Sequence, residues 1–481
     1  MINIVIGALI FSVLLVTLFF EKNIGLSMLL FIGPFAYYII YLLEKNKKIE
    51  NSKAKILLIP IIVLSATYFL FNNSFFNELN IIVIPLLLIL MILGLFNEKL
   101  KIDTDFIGKI LEMFLVPLSF IGETFGKLRN SLEEKLKINI DSREEAKIKK
   151  VVKSILITLP VVLVIILLLS SADEIFGDIF ADMFRNIINS IGNIKASTAI
   201  AKIVLIVLGF IYFMCFFDYI SARYEKDETT CTKNENIKDN YTIKMILTVL
   251  NVIYLVFCYI QIKSLFMRNV DIDYAQYARQ GFFQLMIVSV INLATILIAK
   301  NSGKSKYINI MSVIMIGFTF IILISSAVRM HFYESAFGYT ILRLLVYIAL
   351  FTEAVMLVPT IFYALDRKID IVKTYFTIMI SAYVITNITN INNIVAQKNV
   401  DRYFETEKLD MYYLKYEIGI DAIPAMSRIL ETEEAVGQNE VHVEIRQYIN
   451  NAISQLENRE FDIREFNISK MKIKNMKQYI D

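Results

Sequence analysis

The sequence predicts an all-α, polytopic membrane helix bundle with a small helical domain outside the membrane. Three observations carry that reading. Hydrophobic residues fill 56% of the 481 positions and charged residues only 20%, with a mean hydropathy of +0.58; soluble domains average about 45–50% and about 25%. The apolar residues gather into nearly uncharged stretches of roughly 18–25 residues, the length that crosses about 30 Å of hydrocarbon as a helix. Basic residues divide unevenly between alternate loops, as they do in polytopic proteins. A soluble enzyme, a disordered chain and a disulfide scaffold are thereby excluded. With 49 basic and 46 acidic side chains, the net charge of +3 is too small for a nucleic-acid partner.

Hydropathy places eleven spans, at 3–20, 24–43, 55–71, 80–96, 151–169, 199–220, 245–262, 281–299, 307–327, 341–364 and 374–393. The first has no basic leader and no small-residue cleavage site behind it, so it reads as a retained helix rather than a signal peptide. Asn387, Asn390, Asn392 and Asn393 make the end of the last span polar. Loops 44–55, 97–153, 221–244, 300–306 and 366–373 hold 28 Lys and Arg, whereas the alternate loops 21–23, 72–80, 170–198, 263–280 and 328–341 hold 7. Basic loops stay in the cytoplasm, so the expected topology has the N-terminus inside and the C-terminal domain extracytoplasmic, in a cell membrane.

Four regions follow: an N-terminal four-span region at 1–96, a cytoplasmic connector at 97–150, a seven-span core at 151–393 and an extracytoplasmic helical domain at 394–481. In the connector, Phe106, Ile107, Ile110, Leu111, Phe114 and Leu118 recur at helical spacing. That pattern suits a helix at the inner interface or one packed on the bundle. The last region has 12 basic and 16 acidic side chains in 88 residues. Leu409, Tyr412, Tyr413 and Tyr416 repeat helically, as do Ile445, Tyr448, Ile449, Ala452, Ile453 and Leu456, and Pro424 suits the first turn of a helix.

Candidate chemistry is sparse. Cys215, Cys231 and Cys258 have no zinc or redox spacing, and the two histidines, His331 and His442, stand 111 residues apart. No metal site and no cofactor are expected. No Walker loop, nucleophile elbow or zinc-protease motif is present. Three outer segments attract attention. In the first, Ser171 and Glu174 have the spacing of a capping box, while Asp173 offers a carboxylate at the outer end of the bundle. In the second, Tyr274, Tyr277, Ala278 and Gly281 share a helical face, which suits interfacial anchoring, and Arg279 lies beside them. In the third, Arg329, His331, Glu334 and Arg343 cluster between two spans; Thr340 is placed to cap the tenth, and Arg343 either snorkels or pairs. Within the spans, Asn251, Gln261, Asn292 and Glu353 are polar where lipid is apolar, and Glu353 is expected to face the bundle interior near Asn251 or Asn292.

The segments SADEIF (171–176), YARQGFFQL (277–285), YESAFGYTILRL (333–344) and NVDRYF…LDMYYL…DAIPAM (399–426) together resemble the bacterial membrane family known as domain of unknown function 4173, and its sister 4153. The resemblance covers roughly residues 150–430. It implies a multi-pass membrane protein with a C-terminal extramembrane segment, and it implies no activity. Two positions depart from the family pattern: Glu174 stands where proline is usual, and Glu353 stands in a span that is usually apolar.

These readings converge on a permease-like or lipid- or solute-handling protein with an outward-facing polar site. The partners expected are the bilayer and a lipid headgroup or small solute. Asp173 or Glu334 is expected to pair with Arg343 or Arg279 in the floor of that site, roofed by the tail near Asp401 and Asp421. Two alternatives stand beside it: a membrane transferase acting on a lipid-linked envelope precursor through Asp173, and a non-catalytic sensor or scaffold. The scaffold reading has the tail bind an envelope partner, whose identity the sequence does not give.

Overall fold

The computed structural model describes residues 1–96, 113, 117, 120–136, 194–222, 240–266, 282–302, 305–431, 440–458 and 461–476. Among them every regular element is a helix: α1 (Ile2–Phe19), α2 (Leu26–Lys45), α3 (Leu58–Leu70), α4 (Ser74–Leu95), α5 (Ile121–Leu136), α6 (Ile194–Ala222), α7 (Asn240–Phe266), α8 (Phe282–Ser302), α9 (Lys306–Phe337), α10 (Ile341–Ala364), α11 (Ile371–Ile388), α12 (Ile391–Thr406), α13 (Ile423–Leu430), α14 (Glu440–Glu457) and α15 (Ile468–Lys474). Ten of the expected spans fall on these helices; the fifth, 151–169, lies outside the described residues, as do Phe106, Ile107, Ile110, Leu111, Phe114 and Leu118. Nine described helices are long and apolar enough to cross a membrane, and α8 carries a shorter apolar stretch, Gln284–Lys300. Apolar residues such as Ile6, Leu9, Ile10 and Val13 on α1, and Val252, Ile253, Leu255 and Val256 on α7, are exposed. In water such faces would aggregate; facing lipid, they are ordinary. The fold is an all-α polytopic membrane bundle.

Two compact units divide the chain. The first comprises Met1–Phe69, Glu78–Glu228 and Phe461–Phe466. Its centre is aromatic: Phe11 of α1 meets Phe35 of α2 edge-on at 5.2 Å between centroids, and Phe213 and Phe217 of α6 stack at 6.0 Å. Offset and edge-on rings add attraction beyond their area. The α1–α2 approach is close because Gly7 lacks a side chain where the Tyr38 ring lies, and the Tyr38 hydroxyl donates to the Asn3 carbonyl at 2.6 Å. The described part of the expected connector is α5, whose Thr124 and Lys127 donate to the buried Asp218 of α6 at 2.8 and 3.0 Å. Residues 461–466 lie on the turn after α1. Arg464 donates to the Thr17 carbonyl at 2.9 Å, and Asp462 pairs with Lys22 at 2.9 Å. Hydrogen bonds from Arg464 and then Lys22 hold the Asp462 carboxyl well below the usual carboxylate range.

The second unit comprises Leu70–Asn77, Thr229–Glu460 and Asn467–Asp481. Its membrane part packs α7 to α11 around Leu247, Ile296, Ile308, Met315, Leu350 and Leu357. Here two expectations are corrected. The segment 328–341, expected as a loop, is helical through Phe337, because its charges end the hydropathy without breaking a helix; Gly338, at φ 83°, ends α9. At 32 residues α9 is about 48 Å long, against about 30 Å of hydrocarbon. The span expected at 374–393 ends at Ile388, since the Asn390 side chain accepts from the Asn393 N–H and starts a new helix, α12.

The tail from α12 to α15 buries Val395, Leu414, Ile418, Ile423, Met426, Ile445, Ile449 and Ile473 in one core, which also takes in Phe76 and packs against Leu344, Leu345 and Ile348 of α10. Pro424 occupies the first turn of α13. The repeat at 409–416 is realised only in part. Leu414 is buried, whereas Tyr412 and Tyr416 are exposed and face each other at 4.9 Å, because residues 413–418 form a widened π-type turn rather than a regular helix.

Candidate functional site

The end of α9, the start of α10 and the first half of α12 enclose a cavity of about 370 Å³, within the size range of small-molecule sites. Thr340 makes the geometry possible: its hydroxyl accepts from the Arg343 N–H at 3.3 Å and starts α10 directly after the turn. Two turns of α9 supply His331 and Glu334, α10 supplies Leu344 and Tyr347, and α12 supplies Ile394, Val395 and Lys398. Glu334 is 7% exposed and accepts from the Tyr347 hydroxyl at 3.2 Å. His331, Arg343 and Lys398 are its electrostatic neighbours. His331 and Lys398 are exposed, so the cavity has an acid at its base, an imidazole and an ammonium group toward its rim, and aliphatic walls. Burial first, then the Glu334 charge, pushes the Tyr339 hydroxyl above its usual range and keeps it a neutral hydrogen-bond donor.

The turn 336–341 is held from the tail. The Asn399 side chain accepts from the Tyr339 N–H at 3.1 Å and donates to the Tyr339 carbonyl at 2.8 Å. Arg402 donates to the Ala336 carbonyl at 3.0 Å, and the Ile341 N–H donates to the Tyr413 hydroxyl at 2.8 Å. The segments 333–344, 399–404 and 409–414 thus meet around one turn.

Of the pairings expected in the floor, Glu334 with Arg343 is the one whose two residues are both described. No ion pair joins Glu334 to Arg343. The Arg343 guanidinium donates to the Gly338 carbonyl and lies 4.4 Å from the Tyr333 ring centroid. Arg329 donates to Gln261 at 3.0 Å, tying α9 to α7, and Ser325 donates to the same oxygen at 2.8 Å. Asp401 does not line the cavity; it is turned to Arg428 at 2.9 Å, on the surface. Asp421 does not line it either: it is 3% exposed, inside the tail, and accepts from the Asn72 N–H at 3.2 Å and the Asn392 amide at 3.5 Å. Asp173, Glu174, Tyr274 and Arg279 lie outside the described residues.

Deeper in the bundle, Glu353 is 8% exposed, and its contact is Ser289 of α8 at 2.7 Å. Asn292 donates instead to Thr319 at 3.0 Å, and Asn251 to the Met311 carbonyl at 3.0 Å. Sequence reasoning missed Ser289, Tyr347 and Lys398. Only Tyr347 carried a signal, standing four residues after Arg343 and so one helical turn along α10.

A family model described as Domain of unknown function (DUF4153) matches residues 58–429. Of the two sister families that the motifs resemble, this is the second. No curated protein and no solved structure matches the chain.

Proposed function

We infer the function from one premise, that the chain belongs to the family Domain of unknown function (DUF4153), whose description names no activity and leaves the reading to the chain's own residues. We propose a lipid- or solute-handling membrane protein, permease-like in architecture, that takes a zwitterionic headgroup in the cavity over Glu334. The observation that carries this is the charge layout of that cavity: a buried carboxylate with Tyr347 at the base, Lys398 and His331 at the rim, and Leu344, Ile394 and Val395 between. An ammonium group suits the base and a phosphate the rim, while the walls suit the first carbons of an acyl chain. The 28-to-7 loop asymmetry supports a cavity on the extracytoplasmic face of a cell membrane, with the N-terminus inside.

Native mass spectrometry of the purified protein, extracted from membranes holding phosphatidylethanolamine and phosphatidylglycerol, tests the reading. The wild type is expected to retain phosphatidylethanolamine, and Glu334→Gln and Lys398→Ala to lose it while remaining folded. Equal retention by all three proteins, or none by the wild type, overturns it. The transferase reading rests on Asp173 and gains no support from the described residues. The clasp of Asn399, Arg402 and Tyr413 on the turn 336–341 favours one second reading, a non-catalytic scaffold. On that reading Glu334→Gln alters stability without altering lipid retention.

A further inference from the structure

The Ser289 hydroxyl makes two contacts that one hydrogen cannot serve. Its oxygen lies 2.7 Å from the Met286 carbonyl and 2.7 Å from Glu353 Oε2, and the side chain is fully buried. A serine hydroxyl has one proton to give and two lone pairs. The Met286 carbonyl only accepts, so the proton between it and Ser289 is the serine's own, the usual back-bond of a helical serine. The second contact then needs a proton from the other side. An ionised Glu353 has none, and two oxygens at that distance without a hydrogen between them repel. A neutral carboxyl satisfies both contacts at once: its O–H donates to Ser289, and Ser289 donates to Met286. Glu353 Oε1, buried and without a hydrogen-bond partner, is then a carbonyl oxygen rather than half of a bare charge.

We propose that Glu353 and Ser289 form a proton-binding site within the helix bundle, with Glu353 carrying the proton. The site is separate from the outer cavity and does not depend on it. On release, the proton leaves Glu353 Oε2 for a water molecule. The Ser289 hydroxyl then turns from the Met286 carbonyl to donate to the carboxylate, so the site has two defined states that differ by one proton and one hydroxyl rotation.

Among the described residues, no ion pair joins Glu353 to a cation. Its hydrogen-bond partner is Ser289 of α8; one turn farther along α8, Asn292 bonds to Thr319 of α9 beside Tyr254 of α7. Apart from Glu353, the Lys, Arg, His and acidic residues of α7 to α11 stand toward the helix ends: Lys244 and Lys263 on α7, Lys300 on α8, Lys306, Arg329, His331 and Glu334 on α9, Arg343 on α10 and Lys373 on α11. Arg343, ten residues before Glu353, is about 15 Å away along the helix. A carboxyl so placed takes its neutrality from a proton.

Dicyclohexylcarbodiimide, an apolar reagent that adds to protonated carboxyls, reads the site in the purified full-length protein. Adduct yields are mapped by peptide mass and normalised to a micelle-dissolved carboxylic acid at each pH. The expected result is an adduct on the peptide holding Glu353, absent from Glu353→Gln, that declines as pH rises and is the same in sodium and potassium chloride. Ser289→Ala removes the hydroxyl that donates to the ionised form, so its decline is expected to move to higher pH. Three results overturn the proposal: no adduct at Glu353 in the folded protein, a yield that does not change with pH, or protection by sodium and not potassium, which would assign the site to a metal cation.

Discussion

Asp421 shows what a single buried acid does to this protein. It accepts from the Asn72 N–H and the Asn392 amide, Asn73 donates to Asn392 at 2.8 Å, and Asn467 donates to the Phe71 carbonyl at 2.8 Å. Burial raises its carboxyl above the usual aspartate range, and the Ser469 hydroxyl, the Asn72 N–H, the Asn392 amide and the Lys470 charge offset only part of that rise. The folded protein therefore holds this proton more tightly than the unfolded chain does. The stability that this contributes is complete below the ordinary aspartate range and is lost as pH rises through the raised value. Asp421→Asn keeps an oxygen acceptor and cannot ionise, so its melting temperature is expected to fall less than that of the wild type between about pH 4 and about pH 8. Asp421→Ala leaves the Asn72 N–H and the Asn392 amide short of an acceptor and is expected to cost about 1–3 kcal/mol at either pH. Thermal melts of the purified protein at the two pH values check both; a parallel pH response in Asp421→Asn and wild type would refute the assignment. The residue itself was visible in the sequence, but its burial was not, because its partners stand 349 and 29 positions away. Glu353 is the opposite case. Its inward position followed from the cost of a carboxyl in lipid, although the identity of its partner, Ser289, did not.

Among the elements, the turn between α9 and α10 concentrates the most constraint. Gly338 adopts φ 83° and ψ −176°, and a side-chain carbon there would lie 2.8 Å from the Arg402 guanidinium and 3.1 Å from Asn399 Oδ1. That backbone region is nearly reserved for glycine, and other residues lose about 1–3 kcal/mol in it. Gly338→Ala is expected to destabilise by that amount and to loosen the Asn399 clasp, read as faster amide exchange at Tyr339 and Ile341. Unchanged melting and exchange would mean that the turn tolerates a side chain. Hydropathy located the helices on either side of this turn because helix formation in lipid follows local composition. It misplaced the end of α9, since Arg329, His331 and Glu334 are polar yet helix-compatible. The fault was in equating the edge of the apolar stretch with the end of the helix. At Asn390 the reverse happened: the chain stayed moderately apolar while a side-chain cap ended one helix and began the next.

At the scale of the whole molecule, orientation is the property most open to test. Cys215 and Cys258 are buried, so an impermeant thiol reagent on intact cells reports on Cys231 alone. The proposed topology places Cys231 inside, and it is expected to stay unlabelled until the membrane is opened. A Ser454→Cys variant, at an exposed position of α14, is expected to react at once. Reaction of Cys231 from outside would invert the topology and move the Glu334 cavity to the cytoplasmic face. The class of fold was legible throughout, because composition and loop charge are summed over hundreds of residues. The tail's attachment was not, because it depends on a few contacts between distant parts of the chain.

Those contacts also set a schedule. In the first unit Arg464 binds the Thr17 carbonyl 447 positions earlier; in the second Asn467 binds the Phe71 carbonyl 396 positions earlier. At roughly 5–20 residues per second of synthesis, the turns after α1 and α3 wait on the order of tens of seconds in the membrane before the residues that hold them exist. During that interval Asn72 and Asn73 have water, headgroups or a chaperone for company, and the early helices must persist on their own hydrophobicity. Latching of these turns therefore comes late in synthesis, and it depends on residues 461–474 arriving intact. A protease that removes them before they dock leaves a chain that is inserted but never latched, a natural substrate for membrane quality control.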